Sequence, residues 1–118
     1  MTKRPGRLRA ASGKAGRSSS RLKKLELPAL TAFLRAYLHE DFPEEHGSAR
    51  GAVIAFCREA VLDERKQLAV EIARLIEAAR GVPLSTLQQF VNRELGSAWE
   101  PQSSHDFADM LSVIRGAT

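Results

Sequence analysis

The densest chemistry in this 118-residue chain lies between His39 and His46, where two histidines and four carboxylates crowd around Phe42-Pro43. Such a set could ligate a metal, move a proton or present negative charge to a partner. The first option fails on spacing. His39-Glu40 opens as a zinc-protease helix motif does, but the second histidine of that motif would fall at Pro43. His39, Asp41 and His46 lack any ligand spacing, and a hydrogen-bonded structural histidine near a helix end is the plainer reading. Catalysis has as little support: the chain holds no Gly-x-Ser-x-Gly elbow, no Cys–His arrangement and no phosphate-binding glycine loop. The expectation is a protein that is not an enzyme and that uses no metal or cofactor. What remains is charge on a scaffolded turn, a common place for binding residues.

The elements that position this turn are helical. Leu27 to Leu38 reads as an amphipathic helix, with Pro28 tolerated in its first turn and Phe33, Leu34, Tyr37 and Leu38 on one face. Pro43 forbids simple continuation, so a loop is expected up to Gly47-Ser48, which reads as a turn into an N-cap. A second helix then runs to about Ala60, and its apolar run Ala52 to Cys57 suggests burial all round. A third, capped by Asp63, spans Glu64 to Arg80 with Leu68, Ile72, Leu75, Ile76 and Ala79 inward. Glu71 with Arg74 and Glu77 with Arg80 read as exposed i, i+3 pairs. Gly81 ends it. A fourth begins with Pro83 and a Ser85 N-cap, turns Leu87, Phe90, Val91 and Leu95 inward, and stops at Gly96. Ser97 to Gln102 is a loop carrying Trp99. A fifth runs from about Ser104 to Arg115, with Phe107, Met110, Leu111 and Ile114 on one side. No stretch alternates with period two. The fold class is therefore all-α, a compact bundle of about five helices.

Composition divides the chain. Residues 1–24 hold nine of the 18 basic residues and no acid, while the remainder holds nine basic against all 14 acidic residues, a net of −5. A basic tail, too poor in apolar residues to order itself, thus precedes an acidic domain at 25–118. The only cysteine, Cys57, excludes an internal disulfide and reads as a small buried hydrophobe. No run approaches the roughly 20 apolar residues of a membrane span. The N-terminus lacks the apolar segment of a secretory signal, so the expected compartment is the cytoplasm.

Two binding roles compete. Residues 78–93 resemble the turn and recognition helix of a helix-turn-helix, with Gln88, Gln89, Asn92 and Arg93 as candidate groove-facing side chains. Against DNA, Arg93 is the only cation of that helix and the domain bearing it is acidic. The same pattern arises in any glycine-turned helical hairpin.

The other role comes from a resemblance. The run Ala36-Tyr37-Leu38-His39-Glu40-Asp41-Phe42, a short acidic gap and Gly47-Ser48 before an alanine-rich helix resembles the immunity proteins of contact-dependent growth inhibition systems. The likeness covers about Leu27 to Ile114. Ala36 stands where glycine is common, and Trp99-Glu100-Pro101 where a Tyr-x-Pro is expected. It implies an all-helical inhibitor that binds a cognate toxin domain one to one, without contacting nucleic acid itself. Tyr37, His39, Asp41, Phe42, Gly47 and Ser48 would form a structural lock, with Asp41 accepting from backbone or Tyr37 and His39 tying the loop down. Many such toxins are nucleases with basic clefts, which an acidic protein can fill. The contacts expected on that reading are Glu40, Glu44 and Glu45, then Asp63 and Glu64, with Trp99 as an aromatic anchor or, equally, a cap on the core.

Overall fold

Pro28 stands in the first turn of helix α1 (Pro28–Tyr37) in the computed structural model, which describes residues 21–117. A proline is harmless there because the first helical N–H groups have no partner within the helix. Those that remain still need acceptors; the Leu27 carbonyl takes the Thr31 N–H at 2.9 Å, but the side chain of this capping residue has none to offer. Glu71 supplies it from a distance: its Oε1 accepts the Leu30 N–H at 2.8 Å and its Oε2 accepts the Gln67 amide at 2.8 Å. Glu71 is 0% exposed. The expected surface pair with Arg74 is therefore wrong, and the reason is that capping α1 satisfies a buried carboxylate where solvent cannot. Of the two expected pairs only Glu77–Arg80 forms, at 3.2 Å and well exposed, so it contributes little.

After α1 come a one-turn helix α2 (Phe42–His46), α3 (Ala49–Glu59), α4 (Leu62–Ala78), α5 (Leu84–Gln89), a π-helical segment (Phe90–Glu94) and α6 (Asp106–Ala117). No strand occurs among the described residues. α6 packs against α3 and α4, and α1 lies on α4 and touches α3. Leu30, Leu34, Val53, Leu68, Ile72, Leu75 and Ile114 are fully buried between them. Leu22, placed by composition in the basic tail, is 1% exposed and belongs to the same core. Residues 21–23 are helical. Of the disordered tail expected at residues 1–24, residues 1–20 lie outside the described residues, and the described end, with Leu22 in the core, is ordered instead.

Several boundaries differ from the sequence reading for local physical reasons. The loop expected after Asp41 contains α2, because Pro43 suits a first turn as well as it stops the previous helix. α4 begins at Leu62 rather than after Asp63, since the Glu64 carboxylate accepts the Val61 N–H at 3.0 Å and closes the turn from within. α5 is capped by Pro83 without any side-chain bond, so Ser85 is not the cap. α6 starts at Asp106, whose carboxylate accepts the Gln102 and Ser103 N–H groups at 2.6 and 3.3 Å. α3 is amphipathic rather than buried all round: Ala52 and Val53 are buried and Ile54 is exposed. Its last carbonyls are closed by Arg65, whose Nη1 donates to Cys57 O at 3.3 Å and Ala60 O at 2.7 Å. Burial pushes the Cys57 thiol up, against the opposing Arg65 charge, which fits an unreactive packing residue.

The π-helical segment has a packing cause. Its Leu95 N–H bonds to Phe90 O at 3.3 Å, an i→i+5 step. That wider turn makes residues five apart neighbours on one face, so Phe90 and Leu95 both reach the core beside Val91. Gly96 then leaves the helix at φ +71°, where a side chain would be strained and would also meet the Arg35 guanidinium at 2.7 Å.

Candidate functional site

The acidic turn is held by short-range bonds. Leu38 is buried at the exit of α1, anchoring the chain before it leaves the helix. His39 Nδ1 accepts the Asp41 N–H at 3.1 Å, so the neutral ring carries its proton on Nε2, which donates to Glu45 Oε1 at 3.1 Å. His46 Nε2 approaches the same oxygen at 3.8 Å. The Asp41 carbonyl accepts the Glu44 and Glu45 N–H groups at 3.1 and 3.2 Å, opening α2. Gly47, at φ +77°, reverses the chain, and Ser48 Oγ accepts the Gly51 N–H at 3.0 Å to start α3. Three residues of the expected lock, His39, Gly47 and Ser48, take part in these local contacts. Asp41 departs from it: its side chain makes no capping bond, and Tyr37 donates elsewhere.

Tyr37 turns instead toward α3, where its hydroxyl donates to Glu59 Oε1. Its ring stacks on Phe33 at 5.5 Å, meets Phe56 edge-on at 5.7 Å and tilts against His46 at 5.7 Å. The bond to Glu59, then burial, then the charges of Glu59 and Glu64 push the Tyr37 phenol up to about 12. One aromatic cluster therefore ties the acidic turn to the corner between α3 and α4. Glu59 and Glu64 both line a groove of about 450 Å³ there, floored by Ala32, Phe33, Ala36 and Phe56.

Glu40, Glu44, Glu45, Asp63 and Glu64 are all exposed. Between Arg35 and Arg50 the chain carries four acids and no lysine or arginine, so negative charge dominates the turn. Trp99 is half-buried and packs edge-on to Phe107 at 5.5 Å. Its other side lines a cleft of about 250 Å³ with Ser48, Arg50, Asp109 and Met110, next to the start of α3. Trp99 is therefore packed against the core while remaining partly accessible. Sequence reasoning missed Glu59 and Phe56, because the Tyr37–Glu59 bond joins residues 22 apart and no local pattern encodes it.

The residues nominated for DNA are differently placed. Gln88 Nε2 donates to Pro101 O at 2.8 Å, and Asn92 Nδ2 to Ser97 O at 3.0 Å and Trp99 O at 3.4 Å. Both amides donate to carbonyls of the Trp99 loop. Only Gln89 and Arg93 remain exposed. No helix among the described residues is long and apolar enough to cross a membrane.

No curated protein and no solved structure matches the chain. A family model described as CdiI immunity protein does match, over residues 26–117, a span that takes in the locked acidic turn, the aromatic cluster and every helix from α1 to α6. The chain belongs to the CdiI immunity proteins, the family that neutralises the toxins of contact-dependent growth inhibition systems.

Proposed function

We propose that this chain neutralises its toxin without catalysis, by seating an acidic face in a basic active-site cleft and excluding the substrate there. The observation that carries this reading is the exposed turn bearing Glu40, Glu44 and Glu45 without lysine or arginine, held by His39 and Ser48. A pre-organised set of carboxylates loses little freedom on binding and steers a positively charged partner by long-range attraction. Asp63 and Glu64 extend the negative charge along the start of α4, and Trp99 offers an aromatic contact beside Ser48. The partner is a nuclease that grips phosphates through lysine and arginine, bound one to one, and the encounter takes place in the cytoplasm of the protected cell.

The test is stopped-flow association of the full chain with the toxin domain encoded beside it, at several salt concentrations, with nucleic-acid cleavage measured in parallel. Wild-type protein should bind with a rate that falls as salt rises, and should abolish cleavage at one equivalent. Reversing Glu44 and Glu45 to lysine should slow association and restore cleavage while circular dichroism stays unchanged. Unaltered association in that variant would remove the turn from the interface.

A further inference from the structure

The groove between α1 and the α3–α4 corner has a chemistry that the acidic turn lacks. Its floor is apolar and aromatic, made by Ala32, Phe33, Ala36 and Phe56, and its rim carries Glu59 and Glu64 with no lysine or arginine in the lining. Each carboxylate has one oxygen engaged within the chain, by the Tyr37 hydroxyl and by the Val61 N–H. Their second oxygens have no partner among the described residues. Both charges act on the same phenol, that of Tyr37, so their fields overlap in the groove. The other clefts differ in this respect. The cleft beside Trp99 contains Arg50, and the one between α4 and α6 contains Lys66 and Arg74.

We infer that this groove receives one arginine side chain of the toxin, its guanidinium between Glu59 and Glu64 and its flat face against Phe56. This rests on the toxin-blocking reading above and adds a second, separate contact to it. Arginine fits better than lysine for three reasons: its stem covers the small floor residues, its plane stacks on an aromatic face, and its fork can serve two carboxylates at once. An arginine that holds substrate phosphate in the free toxin would find in Glu59 and Glu64 two anionic oxygens in place of the phosphate. Tyr37 is a positioning residue here, because its hydroxyl orients Glu59 without itself meeting the cation.

The experiment compares three full-length proteins by calorimetric titration with the toxin domain encoded beside this chain, each first checked for its melting temperature. The double variant Glu59→Gln/Glu64→Gln keeps an acceptor for Tyr37 and for Val61, so its fold should be unchanged. Its affinity should fall by about a hundredfold, the scale expected when a paired, partly desolvated cation loses its partners. Ala36→Trp fills the groove from an exposed helix position and should weaken binding comparably. If wild type binds tightly and the double variant stays within about threefold, the groove is not the site, although the neutralisation reading stands. Weakening by the charge change but not by Ala36→Trp would move the contact onto the rim and overturn the seated arginine. A wild-type protein that does not bind the toxin would overturn the proposal and the reading beneath it together.

Discussion

Between Leu38 and Ser48 the polar side chains bond to neighbours a few residues away and leave their charge in water. Between Gln88 and Asp106 they bond inward, to carbonyls and amides of the loop that returns around Trp99. Glu44 and Glu45 are exposed, whereas Asn92 is half-buried and Ser97 is 5% exposed, with Ser97 Oγ both donating to Trp99 O at 2.7 Å and accepting its N–H at 3.0 Å. The residue types alone suggested that either region could be a contact surface. The difference lies in what each polar atom already touches. An exposed carboxylate with one engaged oxygen can still accept from a partner, while an amide holding two part-buried carbonyls cannot leave them without cost. Availability, rather than polarity, separates the two regions.

Glu71 is the extreme of the inward-bonded kind, and breaking it should have the largest effect. Glu71→Ala leaves the Leu30 N–H without an acceptor and opens a cavity, so urea denaturation should show a loss of about 3 kcal/mol. Glu71→Gln keeps an acceptor for Leu30 and should lose clearly less. A loss near zero for Glu71→Ala would mean that α1 is capped by something else. Asn92→Ala comes next. It should lose about 1–2 kcal/mol and shift the emission of Trp99, the sole tryptophan, because two loop carbonyls lose their donor. Unchanged emission would show that the loop stands without it.

The outward-facing turn should respond in the opposite way. Glu44→Lys/Glu45→Lys should alter stability by less than about 0.5 kcal/mol, as exposed sites generally do. The same change should slow toxin association by about tenfold or more at low salt, with the deficit shrinking as salt screens it. A stability loss larger than the Asn92→Ala loss would erase the distinction between the two regions.

The smallest effect concerns pH. The Tyr37 phenol is raised from 10.0 to about 12 in the folded protein, so folding favours its neutral form. The stability it contributes is fully present below about pH 10 and is lost as pH rises through about 12. Because the site is open to solvent, the effect should be modest. Alkaline titration at the tyrosinate band follows this single tyrosine directly, and Glu59→Ala should bring its midpoint back toward 10.0. A midpoint that stays raised would assign the shift to burial and Glu64 rather than to Glu59.

Local signals in the sequence determined the helical character of the chain, the inward faces of α4 and α6, and the reversal at Gly47 into the Ser48 cap. Each of these depends on residues within about a turn of one another, where periodicity and capping preferences act directly. The same holds for the acidic turn, whose run of charges is readable without a fold, and for the family motif running through it. Tertiary structure alone decided the rest. Glu71 looked like a surface partner of Arg74 until α1 brought an unsatisfied N–H across 41 residues to meet it. Gln88 and Asn92 looked free until Gly96 turned the chain back over them. Glu59 became part of a groove only because Tyr37 reached it from α1. In every such case the deciding partner is distant in sequence, and a polar side chain carries no local mark of which distant group will come within reach of it.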